Sequence, residues 1–291
     1  MRLTTMSHQA DHNCLNCGHA LPSDATFCPA CGQKILTDDD RRLGKLIKDA
    51  VAEITDLRGR ILPSFGALLF YPGYLARNYR IGRRKGYVSP VSLFLFANVI
   101  YFLIPVLSDF QIDLLDQISL QPYSAWTEAI VSGALGVESA LAAWREGNAD
   151  FEALAAEYSL RAADISKAII VVHVPFLAMV TALITFDLKV RFVDHVVLAL
   201  HYMAFIMLWY VIGPTLVIPL LRTILSPFWA DPPAWQIGFG IIMLYPVFMF
   251  RNAFQMPWWR ALLSGAVFLL AYGPVHVLFR LIQFFVVFYT L

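Results

Sequence analysis

Apolar residues follow two patterns along this chain. Between residues 43 and 61 they fall at Leu43, Leu46, Ile47, Ala50, Val51, Ile54, Leu57 and Ile61, the three-and-four spacing of one helical face. This predicts an amphipathic helix that starts after Thr37 and Asp38–Asp40, whose acidic side chains suit a helix N-terminus, and that ends before Pro63. Beyond Ser89 the apolar residues run together instead. Five stretches approach or exceed the roughly 20 residues of helix that cross a hydrocarbon core, at 90–107, 165–186, 196–221, 235–250 and 261–289. Residues 108–164 between the first two are too polar for lipid and predict a cap of short helices, with apolar patches at Ala142, Ala143 and Trp144 and again over 151–156. The fold expected is an all-α integral membrane protein of about five transmembrane helices, preceded by a small β-knuckle. Its divisions are 1–36, a juxtamembrane segment 37–89, and a membrane domain 90–291 with an insert at about 108–164. A composition that is 58% hydrophobic lies outside the roughly 45–50% of soluble proteins and agrees with this.

The knuckle is predicted from the cysteines. Cys14 and Cys17, then Cys28 and Cys31, form two C-x-x-C pairs ten residues apart, each followed by a glycine, Gly18 and Gly32. Two such turns bring four thiolates within tetrahedral reach of one ion, which is the pattern of a structural zinc ribbon. Paired disulfides and a redox-active pair are the competing readings. Four thiolates leave zinc no open position, so the site is structural and no catalytic residue is assigned to it.

Net charge is only +1, but its distribution is uneven. Residues 41–90 carry eleven Lys or Arg against three acidic residues, while 108–165 carries ten acidic residues and two arginines. With the N-terminus cytoplasmic, the basic loops at Lys189 and Arg191 and at Arg251 and Arg260 also fall inside and the acidic insert outside. The first forty residues lack the basic-then-apolar pattern of a signal peptide, so the ribbon is expected to stay in the reducing compartment, where thiols bind zinc in preference to forming disulfides. Five spans then leave the C-terminus outside.

The segments Cys14–Gly18, Phe27–Gln33, Tyr71-Pro72-Gly73 through Tyr79, Gly82–Pro90 and Asp194–His201, with the region 245–262, resemble a bacterial family of membrane proteins of unknown function, in which a zinc ribbon precedes a multi-pass helical domain. The resemblance implies this architecture and an inner-membrane location. It implies no reaction, and the acidic insert has no counterpart in it.

Candidate chemistry is sparse. Arg77, Arg80, Arg83, Arg84 and Lys85 lie just before the first span, where cations attract anionic lipid headgroups. The tyrosines among them sit at headgroup depth, which argues against nucleic acid. His173 lies about 12 Å into the second span and His276 about 22 Å into the fifth, at comparable depth, each beside a proline, so the two are expected to face a shared polar site or to bond separately to backbone. His201 is a third intramembrane histidine; it and His195 are six residues apart, on different helix faces, and do not chelate one ion. Asp187 and Arg191 have the spacing of a helical ion pair. No phosphate-binding loop, H-E-x-x-H or G-x-S-x-G is found. The expected role is a non-enzymatic binding or assembly module that docks a cytoplasmic protein through the ribbon. The alternative is a passive transporter or lipid-handling protein with a path lined by His173, His276 and Asn98. An intramembrane enzyme built on His201 and Asp194 is a third reading that lacks a nucleophile.

Overall fold

The computed structural model describes residues 13–22, 24–36, 40, 42, 44, 45, 59–104, 110–229 and 233–291. Most of the amphipathic helix expected over 43–61 lies outside them.

Among the described residues, two short helices, α1 (Ile61–Phe70) and α2 (Tyr74–Ile81), lead into α3 (Pro90–Leu103). Helix α3 begins where its chemistry dictates. Ser89 is extended and its hydroxyl accepts the Ser92 amide at 3.2 Å, while Pro90 occupies the first turn, where no amide is needed. The insert forms α4 (Leu114–Ser119), α5 (Ser124–Leu135) and α6 (Ala140–Arg145), and then α7 (Ala149–Ile169), which continues through a 3-10 turn into α8 (His173–Ile184). Helix α9 (Phe192–Ile212) passes through a π-helical turn at Gly213–Val217 into α10 (Ile218–Leu225). Pro214 in that turn has no amide to give the α-helical ladder. Helices α11 (Ala234–Phe254) and α12 (Trp258–Phe288) complete the chain.

Among the described residues, four continuous helices are long and apolar enough to cross a membrane: Ala149–Ile184, Phe192–Leu225, Ala234–Phe254 and Trp258–Phe288. The shorter apolar helix α3 runs beside them for 14 residues. The second span starts earlier than hydropathy suggests, because polar α7 and apolar α8 are one rod. Asn148 caps that rod, accepting the Asp150 and Phe151 amides.

Helix α9 sits at the centre. It is apolar all round, and from Val193 to Val211 nearly every side chain is buried, against α3 on one side and α8 on another, with α2 and α11 also in contact. The last two helices cross closely because Gly265 meets Val247 with no side chain between them, a Cβ there lying 2.7 Å from Val247 Cγ2.

The insert has its own core, in which Leu114, Ile118, Val131, Phe151 and Tyr158 close over Phe284 and Val287 at the end of α12. Gln117 fastens it: its amide nitrogen donates to the Tyr158 hydroxyl at 3.2 Å and the Arg280 carbonyl at 3.3 Å, and its oxygen accepts from Tyr123 at 2.6 Å. The ribbon, by contrast, packs at the end of the bundle where α2 and α3 meet. Insert and ribbon therefore cover opposite ends of the helices.

Candidate functional site

Each cysteine pair forms the same small turn. In the first, the Cys14 amide donates to the His19 carbonyl at 2.7 Å and the Gly18 amide to Cys14 at 2.8 Å; in the second, Cys28 and Gly32 repeat the pattern with Gln33, both bonds at 2.8 Å. Gly18 and Gly32 have φ of 77° and 68°, a left-handed backbone that glycine adopts without strain. One antiparallel bridge closes each turn, Asn13 with Ala20 and Phe27 with Lys34, so the knuckle has hairpins but no strand among the described residues.

The four sulfurs lie within 4.8 Å of one another. Cys14 and Cys31 are 3.7 Å apart at Sγ, and Cys17 and Cys28 are 3.6 Å apart. A tetrahedron of thiolates at the zinc–sulfur distance has an edge of about 3.8 Å, so the set fits one zinc ion held by Cys14, Cys17, Cys28 and Cys31. Disulfide bonding, at about 2 Å, does not fit. The Gln33 amide beside Cys31 draws its thiol down to about 7, against the opposing effect of desolvation. The His19 amide favours the Cys17 thiolate too, but desolvation and the three neighbouring sulfurs outweigh it and hold that thiol up at about 12. A divalent cation at the centre removes this mutual penalty.

The ribbon is not an isolated bead. Gln33 is buried, and its side-chain amide donates to the Gly82 carbonyl at 2.7 Å while its oxygen accepts the Arg84 amide at 3.1 Å. Arg83 donates to the Leu15 carbonyl at 3.2 Å, and Arg84 to the Asp40 carbonyl at 3.3 Å. Gly82, left-handed at φ 90°, leaves the space that Leu15 and Leu36 fill. The turn after α2 is thus the seat of the ribbon. Helix α2 is fixed in turn to α11, since Asn252 donates to the Pro72 carbonyl and Arg80 to the Ala253 carbonyl, both at 2.8 Å.

A cavity of about 440 Å³ opens between ribbon and helices. The ribbon contributes Phe27, Gly32, Gln33 and Lys34; the turn after α2 contributes Arg83, Arg84, Lys85 and Tyr87; Ser89 and Pro90 bring the N-terminus of α3, and His201 reaches it from α9. The Arg84 guanidinium lies 3.7 Å over the Tyr79 ring. Lys34 pairs with the buried Asp40 at 2.6 Å. Tyr87 donates to the Tyr74 hydroxyl at 3.4 Å, and this bond, with some desolvation, pushes its phenol up to about 12, so it remains neutral.

The five basic positions therefore divide. Arg83, Arg84 and Lys85 line the cavity, Arg80 is turned to α11 and Phe254, and Arg77 is outside the lining. Gln33, Gly82, Tyr87 and Asp40 were not assigned to a site from sequence; the adjacency of Gln33 to the second knuckle was the available signal.

The other histidines lie elsewhere. His173 Nε2 and His276 Nδ1 are 3.1 Å apart, and the rings of Phe110, Phe279 and Tyr272 surround the pair. Asn98 is not with them; it donates to the Lys167 carbonyl at 3.2 Å. Asp187, in the turn after α8, pairs with Arg260 in the first turn of α12, and this partner holds its carboxyl below the usual range.

Residues 13–35 match a zinc-ribbon domain. Residues 58–102 match the family described as a protein of unknown function (DUF3667), which here covers α1, α2 and α3 with the turn that seats the ribbon. Comparison with curated proteins and with solved structures gives no match in either set. Most of the cavity lining falls inside the two matched segments, with Leu36, Asp40 and His201 added from outside them.

Proposed function

We propose that this is a membrane-embedded binding module whose zinc ribbon caps a ligand cavity at one face of the bilayer. The observation that carries this reading is the convergence of ribbon, basic turn and His201 on one cavity. The zinc serves as a staple: it holds a peptide too short for a hydrophobic core in the shape that presents Gln33 to the turn after α2. The host membrane in this reading is a bacterial inner membrane. Its cytoplasmic side holds the ribbon and the basic loops, and its outer side holds the acidic insert and the C-terminus, as the positive-inside rule favours. No side chain around the cavity is arranged as an activated nucleophile, so the role assigned is binding rather than catalysis.

A cytoplasmic protein partner is the second reading, supported by Phe27, which stays exposed on the ribbon at the rim of the cavity. Such a partner must use a face other than that of Gln33 and Leu36, which already meet the chain's own turn.

Limited trypsin digestion of the full chain in nanodiscs tests the capped cavity. Cleavage after Arg83, Arg84 and Lys85 is expected to be slow with zinc bound and to rise at least tenfold after chelation. Equal cleavage in both states counts against the ribbon as a cap.

A further inference from the structure

The cavity carries the chemistry of a particular ligand class. Its wall holds Arg60, Arg83, Arg84 and Lys85, whereas its carboxylate, Asp40, is already paired with Lys34. The cavity also borders Ser89 and Pro90 at the start of the 14-residue α3, where the positive end of the helix dipole favours an anion although Pro90 has no amide to donate. Deeper in stands His201, only 5% exposed.

Phe27, Leu36, Leu75, Tyr79, Val88 and Pro90 give the lining an apolar part. The cavity meets α9 at His201, nine residues or about 14 Å from the start of that helix. A cationic mouth with an apolar wall running inward suits an amphiphile. The volume lies within the roughly 300–1,000 Å³ of small-molecule sites.

We infer that the cavity binds one phosphate-bearing anion, with Arg83, Arg84 and Lys85 on the phosphate and the apolar wall on an attached chain. This inference rests on the capped cavity proposed above and names its ligand. The phosphate can come from a phospholipid headgroup or from a soluble phosphate, and the two sources differ in their need for the apolar wall.

The test uses the full zinc-bound chain in nonionic detergent, titrated separately with dihexanoyl phosphatidic acid, dihexanoyl phosphatidylcholine and inorganic phosphate, with stoichiometry read by native mass spectrometry. The expected result is saturable binding of one phosphatidic acid per chain, at least tenfold tighter than phosphatidylcholine. Lys85→Gln is expected to weaken it about fivefold, the loss of one cation's attraction, while Arg77→Gln, outside the cavity, leaves it unchanged. Lys85→Trp, which fills the mouth, is expected to abolish it. Inorganic phosphate that saturates the same site and displaces the lipid also upholds the phosphate site and assigns its source to solution; phosphate that fails to compete assigns it to the bilayer. Non-saturable uptake of several lipids, reduced equally by Arg77→Gln and Lys85→Gln, overturns the inference in favour of surface attraction. Trypsin protection is measured on the same samples: protection without phosphate binding refutes this ligand alone, whereas loss of protection in the zinc-bound wild type refutes the capped cavity itself.

Discussion

Gln33 and Gly82 are joined by a 2.7 Å hydrogen bond that ties the end of the second zinc knuckle to the turn after α2. The same side chain accepts the Arg84 amide, so a single buried residue satisfies two backbone groups across a separation of about fifty positions. This is the joint between the two segments that family models recognise separately.

Replacing it loosens the joint. Gln33→Leu leaves the Gly82 carbonyl and the Arg84 amide buried without partners, at about 1–3 kcal/mol each. Zinc content should stay at one ion per chain while acetylation of Lys85 rises. Unchanged Lys85 reactivity would show that the ribbon is held by other contacts.

Zinc should be lost as the pH falls. Each thiol must give up its proton to bind the metal, so affinity is greatest at neutral or higher pH and declines as protons compete. Cys28→Ser is expected to abolish stoichiometric zinc and to expose the ribbon to protease, with the helical content of the membrane domain retained. Metal analysis and circular dichroism on the same samples check both parts.

The histidine pair is in contact inside the bundle. His173 is fully buried and His276 nearly so, and either alanine substitution leaves a void and a polar nitrogen without its partner, at about 2–4 kcal/mol. In a double-mutant cycle the coupling should be about 1 kcal/mol. Additive losses in detergent unfolding would mean that the 3.1 Å contact contributes nothing.

Two glycines with similar backbone angles should respond differently. Gly73, at φ 80°, leaves no room for a side chain, because a Cβ would lie 2.3 Å from the Met249 carbonyl oxygen of α11. Gly73→Ala is expected to cost about 3 kcal/mol, combining left-handed strain with overlap against rigid backbone. Gly136, at φ 67°, has nothing within 4 Å, and its alanine variant should cost only the strain, about 1 kcal/mol. Comparison of the two melting temperatures decides it.

Glu128 gives the insert a dependence on acid. Its carboxylate accepts the Ser139 hydroxyl at 2.8 Å and the Ser132 hydroxyl at 3.2 Å, and with the Ser139 bond foremost this holds it below the usual carboxylate range. A depressed folded pKa means stability that is present above the unfolded carboxylate range and lost as the pH falls through the folded value. The melting temperature of Glu128→Gln should therefore change less than that of the wild type between neutral pH and pH 4.

The zinc site was readable from sequence because its ligands lie within eighteen residues and local turn geometry alone brings them together. The apolar runs likewise marked the membrane helices, since length and hydropathy are local quantities; their ends were less clear where polar α7 and apolar α8 merge into one rod. The shared depth of His173 and His276 could be counted from helical rise, so their meeting was foreseeable once the two helices were taken as neighbours. That neighbourhood was itself a tertiary fact, as was the pairing of Asp187 with Arg260. The cavity was wholly tertiary: Gln33, Arg84 and His201 stand far apart in the chain and carry no common spacing. Sequence fixes what each segment is able to do alone, such as bind a metal, form a helix or enter a bilayer. Packing of the ribbon on the turn after α2, governed by one buried amide and the space left at Gly82, decides which of those segments face each other.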